Sequence, residues 1–118
     1  MLQIENIIID KGSRYSVSGL AVSNRSDVDK ALKLLCQKKK YAKATHNTWA
    51  VVFSDGERVK NDDGESGAGV IMLEILQRQA LFDHLIIVSR WYGGVQLGAD
   101  RFRHVRTCAQ RYISEHKA

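Results

Sequence analysis

Three short stretches of this sequence hold the side chains that could do chemistry. Lys43-Ala44-Thr45-His46-Asn47 contains the one histidine set among polar residues of a motif. Asp62-Asp63-Gly64-Glu65-Ser66-Gly67-Ala68-Gly69 places three carboxylates among three glycines, just ahead of an apolar run. Ser89-Arg90-Trp91-Tyr92-Gly93-Gly94-Val95-Gln96-Leu97-Gly98 joins a cation and two aromatics to a flexible loop. A glycine-rich loop before a helix offers free backbone N–H groups at the positive end of a dipole, which suits phosphate or carboxylate. Asp62, Asp63 and Glu65 would repel a bare phosphate, and the stretch has neither a P-loop lysine nor G-x-G-x-x-G order. The same acids could hold Mg²⁺ with several waters retained. The structural alternative has Asp63 and Glu65 capping backbone donors while the glycines supply left-handed turns.

His46 has no nucleophile to serve, since neither cysteine sits in a suitable elbow. It is expected to make an orienting hydrogen bond to a carboxylate of the acidic loop rather than act as a base. His84 and His104 read as ordinary strand-edge and helix residues, and no zinc-ligand spacing occurs. Arg90, Trp91 and Tyr92 have the composition of a stacking platform for single-stranded RNA, and equally of a protein–protein hot spot. The aromatics could also pack under the loop as core.

These stretches need a scaffold, and hydrophobic periodicity outlines one. Leu2–Asp10 is an isoleucine-rich strand, Lys11-Gly12-Ser13 a turn, and Arg14–Val22 an alternating strand that pairs with the first. Ser26 is the expected N-cap of an amphipathic helix on Val28, Ala31, Leu32, Leu35 and Cys36, running to about Lys40. Thr48–Phe53 is a third strand, Ala68–Leu81 a largely covered helix and Leu85–Ser89 a central strand. Asp100 begins a last helix with Phe102, Val105, Ala109 and Ile113 inward and Arg103, Arg106 and Gln110 outward. The order ββαβαβα implies one α+β domain over residues 1–118.

Composition narrows the function classes. With 44% hydrophobic residues the chain can build a core, and its net charge of +5 is unevenly spread. Lys30 to His46 carries six lysines and no acid, among them Lys38, Lys39, Lys40 and Lys43; Arg101, Arg103, Arg106 and Arg111 form a second basic stretch. Such faces suit RNA or an acidic protein patch, with Lys38, Lys39, Lys40, Lys43, Arg103 and Arg106 as the nucleic-acid candidates. No apolar run reaches the roughly 18 residues of a membrane span. Met1–Asp10 has no basic segment or cleavage site of a signal peptide. Cys36 and Cys108 lack C-x-x-C spacing and are expected as reduced core thiols, in keeping with a cytoplasmic protein.

Taken in order, Lys43-Ala44-Thr45-His46-Asn47, Asp62-Asp63-Gly64-Glu65 and Ser89-Arg90-Trp91-Tyr92-Gly93-Gly94 with Leu97-Gly98 resemble the IMPACT family, whose bacterial relatives include the YigZ type. The resemblance runs from about Asp10 to Glu115. Ser89 to Val105, with Asp100-Arg101-Phe102, is closer to the eukaryotic branch, because bacterial members usually have Tyr-Phe-Gly-Gly. It implies a two-layer sandwich similar to ribosomal protein S5 domain 2, with helices on one face of the sheet. It implies no enzyme activity, cofactor or metal. Eukaryotic members bind the large activator of the amino-acid-starvation kinase and restrain phosphorylation of an initiation factor; ribosome and actin binding are also attributed to them. They usually carry an N-terminal RWD domain, which these residues do not contain. On this footing Arg90, Trp91, Tyr92, Gly93, Gly94 and Arg101 are the expected partner contacts. His46, Asp62, Asp63, Gly64 and Glu65 form the loop that faces them.

Overall fold

The computed structural model describes residues 1–117. Strands β1 (Leu2–Asp10) and β2 (Ser13–Ala21) pair with Asp10 opposite Ser13, so the connection is the two-residue turn Lys11-Gly12. Both turn residues have positive φ, 48° and 82°. That geometry matches the twist of the flanking strands.

Helix α1 (Arg25–Cys36) is capped by Asn24, whose side chain accepts from the Asp27 backbone N–H at 2.9 Å. The Asp27 carboxylate in turn accepts from the Ser23 backbone N–H at 2.8 Å. This reciprocal pair starts the helix ahead of Ser26, the cap expected from sequence. The helix also stops at Cys36, and Lys39–Ala42 forms a separate single turn, α2. Cys36 is consequently exposed at a helix end, unlike the buried Cys108, and both thiols are free.

Strands β3 (His46–Val52) and β4 (Arg58–Asn61) form a second hairpin, followed by α3 (Ala68–Arg78), β5 (His84–Trp91) and α4 (Asp100–Lys117). All pairings are antiparallel, in the order β1-β2-β5-β3-β4. The α+β class is as expected, with α2 and the edge strand β4 as additions to the ββαβαβα order.

Against one face of the sheet, Tyr15, Val17, Ala50, Ile86 and Val88 meet Met72 and Leu76 of α3 and Val105, Cys108 and Tyr112 of α4. The other face is not bare. Val51, Leu85 and Ile87 pack on Val28, Ala31 and Leu35 of α1 and Tyr41 of α2. The unbroken run Leu85-Ile86-Ile87-Val88 explains this cover, because a strand apolar on both sides needs packing on both. Helices therefore lie on both faces rather than on one.

Candidate functional site

The three motif stretches converge at one end of β5. His46 pairs in register with Arg90 and Asn47 with Ser89. Beyond the ladder, Thr45 N–H donates to the Arg90 carbonyl at 2.8 Å, and Tyr92 N–H to the Thr45 hydroxyl at 2.9 Å. The acidic loop joins through its backbone and one carboxylate. His46 Nδ1 lies 2.8 Å from the Asp63 carbonyl oxygen, and Asn47 N–H donates to Asp63 Oδ2 at 2.7 Å. The Thr48 hydroxyl donates to the Asp62 carbonyl at 2.8 Å. His46 thus makes the orienting contact expected of it, but to a main-chain carbonyl and not to a carboxylate.

All three loop acids are engaged. Asp62 accepts from the backbone N–H groups of Gly67 (3.1 Å) and Gly69 (2.9 Å) and from Lys60 Nζ (3.1 Å). Partial burial alone would raise its pKa, yet the Gly67 N–H, Lys60 and the Gly69 N–H together hold it below the ordinary aspartate value. Asp63, at φ 49°, turns the chain so that its carbonyl and carboxylate both reach β3. Glu65 is 3% exposed and receives Arg90 Nη1 at 3.0 and 3.2 Å and Arg101 Nη1 at 3.4 Å. One buried carboxylate is therefore shared by two guanidinium groups.

Above this pair opens a cleft of about 540 Å³. His46, Arg90, Tyr92, Gln96 and Arg101 supply its polar lining, and Leu97 and Phe102 are among its apolar walls. The Arg101 guanidinium stacks 4.3 Å from the centre of the Phe102 ring and donates to the Ser66 carbonyl at 3.2 Å. Among the described residues no group of three metal-ligating side chains gathers. The cleft presents cations, hydrogen-bond donors and an exposed tyrosine, the equipment of recognition.

A family model described as the Impact N-terminal domain matches residues 11–113. The chain belongs to the IMPACT family. Protein IMPACT-A of Xenopus tropicalis is 39% identical over 115 residues, covering 93% of this chain and 36% of the relative. The Caenorhabditis elegans IMPACT homolog is 34% identical over 116 residues, covering 92% and 45%. The chain thus spans less than half the length of these curated relatives. Among solved structures, the two-domain translational regulator Yih1 superposes at TM-score 0.58 and 30% identity, covering 92% of this chain and 44% of that one. A crystal structure of a hypothetical protein reaches TM-score 0.80 at 19% identity, over 95% of this chain and 57% of the other, and supports the fold alone.

The IMPACT domain separates two residues that stand together in the sequence. Arg90 turns into the α3–α4 side, where it is 6% exposed, with its guanidinium carbon 5.6 Å from the centre of the Tyr15 ring. Trp91 packs on the opposite side, edge-on to Tyr41 at 5.3 Å, its indole N–H donating to the Lys40 carbonyl at 2.9 Å. Tyr92 stays 47% exposed at the cleft. Of the candidate lysines, Lys38 bonds Gln3, Lys40 pairs with Glu5 and lies over Trp91, and Lys39 and Lys43 are exposed. Arg103 pairs with Asp100, and Arg106 is exposed.

Gly64 is needed beside the His46 ring, because a Cβ there would fall 2.8 Å from Nδ1. Two contributors escape sequence reading. Ser13 accepts from Gly93 N–H at 3.2 Å and faces Arg90 Nη2 at 3.5 Å, a role created only by the β1–β2 turn. Gln96 lines the cleft from within the third motif, where nothing distinguishes it from the loop residues around it.

Proposed function

We propose that this IMPACT domain is a non-catalytic protein-binding module in the regulation of translation. The observation that carries the reading is the cleft where the three motifs meet: its acids are bonded inward, while Tyr92, Gln96 and Arg101 line the open side. An aromatic, an arginine and neutral donors around a depression are the composition of a protein–protein hot spot. The description of Yih1 as a translational regulator supports the pathway. The partner in this reading is the large activator of the amino-acid-starvation kinase, in the cytoplasm, and residues 1–118 act as one domain. Engagement of Asp62, Asp63 and Glu65 by donors argues against a Mg²⁺-dependent phosphate enzyme at that loop.

Capture of the purified activator by the immobilised domain tests this. Wild type should retain it, and a Tyr92→Ala, Arg101→Gln double variant should lose most of it. Equal retention by both, or none by wild type, overturns the reading.

A second reading, RNA or ribosome binding, is favoured by Lys40 over the Trp91 ring, with Arg14 opposite Trp91 in the ladder and Lys39 and Lys43 exposed near Lys40 in sequence. Titration with RNA at two salt concentrations separates the two readings, since phosphate contacts give a steep negative salt slope.

A further inference from the structure

We propose that the cleft is an anion-recognition site that takes an acidic side chain, aspartate or glutamate, from an extended segment of a protein partner. The inference deepens the protein-binding reading above. Its first ground is a charge imbalance built into the floor. Arg90 and Arg101 share the single carboxylate of Glu65, so two positive charges meet one negative charge, with Arg90 and Glu65 buried and Arg101 partly open to the cleft. The remaining polar lining is His46, Tyr92 and Gln96, and among the described residues no carboxylate lines the cleft. Outside the lining, the Asp63 carboxylate is turned to Asn47 N–H and the exposed Asp100 pairs with Arg103.

The second ground is unspent donor capacity. Arg90 is more than nine-tenths buried and lines the cleft; its Nε, itself shut off from solvent, has no partner among the described residues, so a small shift of the side chain would free a donor for an incoming anion. Arg101 uses only Nη1, on Glu65 and the Ser66 carbonyl, among the described residues. Its contact with the Phe102 ring and its two Nη1 bonds restrict the guanidinium, so the remaining N–H groups lose little freedom on meeting an anion. A planar carboxylate suits such a fork.

Size and surroundings favour a peptide acid over a nucleic-acid backbone. A space of about 540 Å³ walled partly by Leu97 and Phe102 holds one acidic side chain and an apolar neighbour. A polyphosphate chain needs a track of cations, and the lysines of α1 and α2 belong to the opposite face of the sheet.

The test is an amide-shift titration of the isotopically labelled 118-residue chain with three probes: acetyl-Glu-Leu-Glu-Phe-amide, the same peptide with glutamine for glutamate, and an eight-nucleotide oligouridylate. The acidic peptide should move the amides of Gln96, Leu97, Gly98 and Arg101, and the glutamine peptide should bind at least about fivefold more weakly. Gln96→Glu, at an exposed residue with no side-chain partner among the described residues, should weaken the acidic peptide by a similar factor without altering the rest of the spectrum. Arg101→Gln should weaken it as well, with shifts around Glu65, Ser66 and Phe102, whose contacts it loses. Equal binding of both peptides, indifference to Gln96→Glu, or shifts confined to another face overturn the proposal. Stronger cleft binding by oligouridylate overturns it in favour of RNA. Because the probes are synthetic, failure of activator capture leaves this result standing, and the converse also holds.

Discussion

Gly93 lies against the main chain of Gly12: a Cβ on Gly93 would sit 2.1 Å from the Gly12 carbonyl carbon and 2.3 Å from Ser13 N. The loop after β5 is thus locked onto the β1–β2 turn, and Gly93 N–H completes the contact by donating to Ser13. Its neighbour Gly94 has φ 93° and open space around it. Adjacent glycines therefore serve different physical needs, close approach in one and a left-handed backbone in the other.

Gly93→Ala should accordingly force the loop off the turn, with a loss on the order of 3 kcal/mol or more, since a backbone collision cannot be relieved by a rotamer. Gly94→Ala meets only the conformational penalty, about 1–2 kcal/mol. Urea denaturation of the two variants checks the ranking. Equal losses would mean that the Gly12 contact contributes nothing.

The buried ion pair gives a second prediction. Glu65→Leu leaves the Arg90 guanidinium without its carboxylate and should cost about 3 kcal/mol. Adding Arg90→Met should recover part of that loss, because a buried pair replaced as a unit by apolar groups is often nearly neutral. Both are read from denaturation midpoints. A single-variant loss below about 1 kcal/mol, the worth of an exposed pair, would contradict the burial of Glu65.

The cysteines should differ in reactivity. Burial pushes the Cys108 thiol up to about 12, so it is protonated and shielded in the folded domain. Cys36 stands exposed at the end of α1. Ellman's reagent should titrate one thiol in native protein and two in denaturant. Cys36→Ser should abolish the native reaction.

Much of the scaffold could be read from periodicity, and the failures have physical causes. Strand β4 escaped because Arg58-Val59-Lys60-Asn61 carries one apolar residue; its strand form comes from pairing with β3, which periodicity does not register. Sequence reading groups Arg90 with Trp91 because it ends the strand at Ser89. The strand continues to Trp91, and alternation of side chains then sends the two to opposite faces. The convergence of the three motifs was legible only as a family resemblance. Which acid caps and which pairs was not, since it depends on left-handed turns at Asp63, Gly64 and Gly67. The second helical layer was missed, since the resemblance implied helices on one face, although Leu85–Val88 is a run too continuous for a sheet covered on one side.

At the other end of β5, His84 should make the domain acid-sensitive. Its Nε2 lies 2.7 Å from the Tyr112 hydroxyl, and its ring centre 4.5 Å from that of His116. Burial first, and the neighbouring His116 second, lower its pKa to about 4 from an ordinary 6.5. Burial also raises the Tyr112 hydroxyl to about 12, so the phenol keeps its proton and can donate to a neutral imidazole. Between pH 6.5 and 4 the unfolded chain binds a proton that the folded chain refuses, so stability falls as pH falls through that window and is insensitive to His84 above it. The shift corresponds to a loss of about 2 kcal/mol between pH 7 and pH 5. Asp62, held below the ordinary aspartate value, contributes stability that disappears only at lower pH, outside this window. Denaturation midpoints at pH 7 and pH 5 should therefore diverge in wild type and draw together in His84→Gln, which keeps an acceptor for Tyr112 but cannot titrate. An unchanged pH dependence in that variant would move the acid sensitivity to another group.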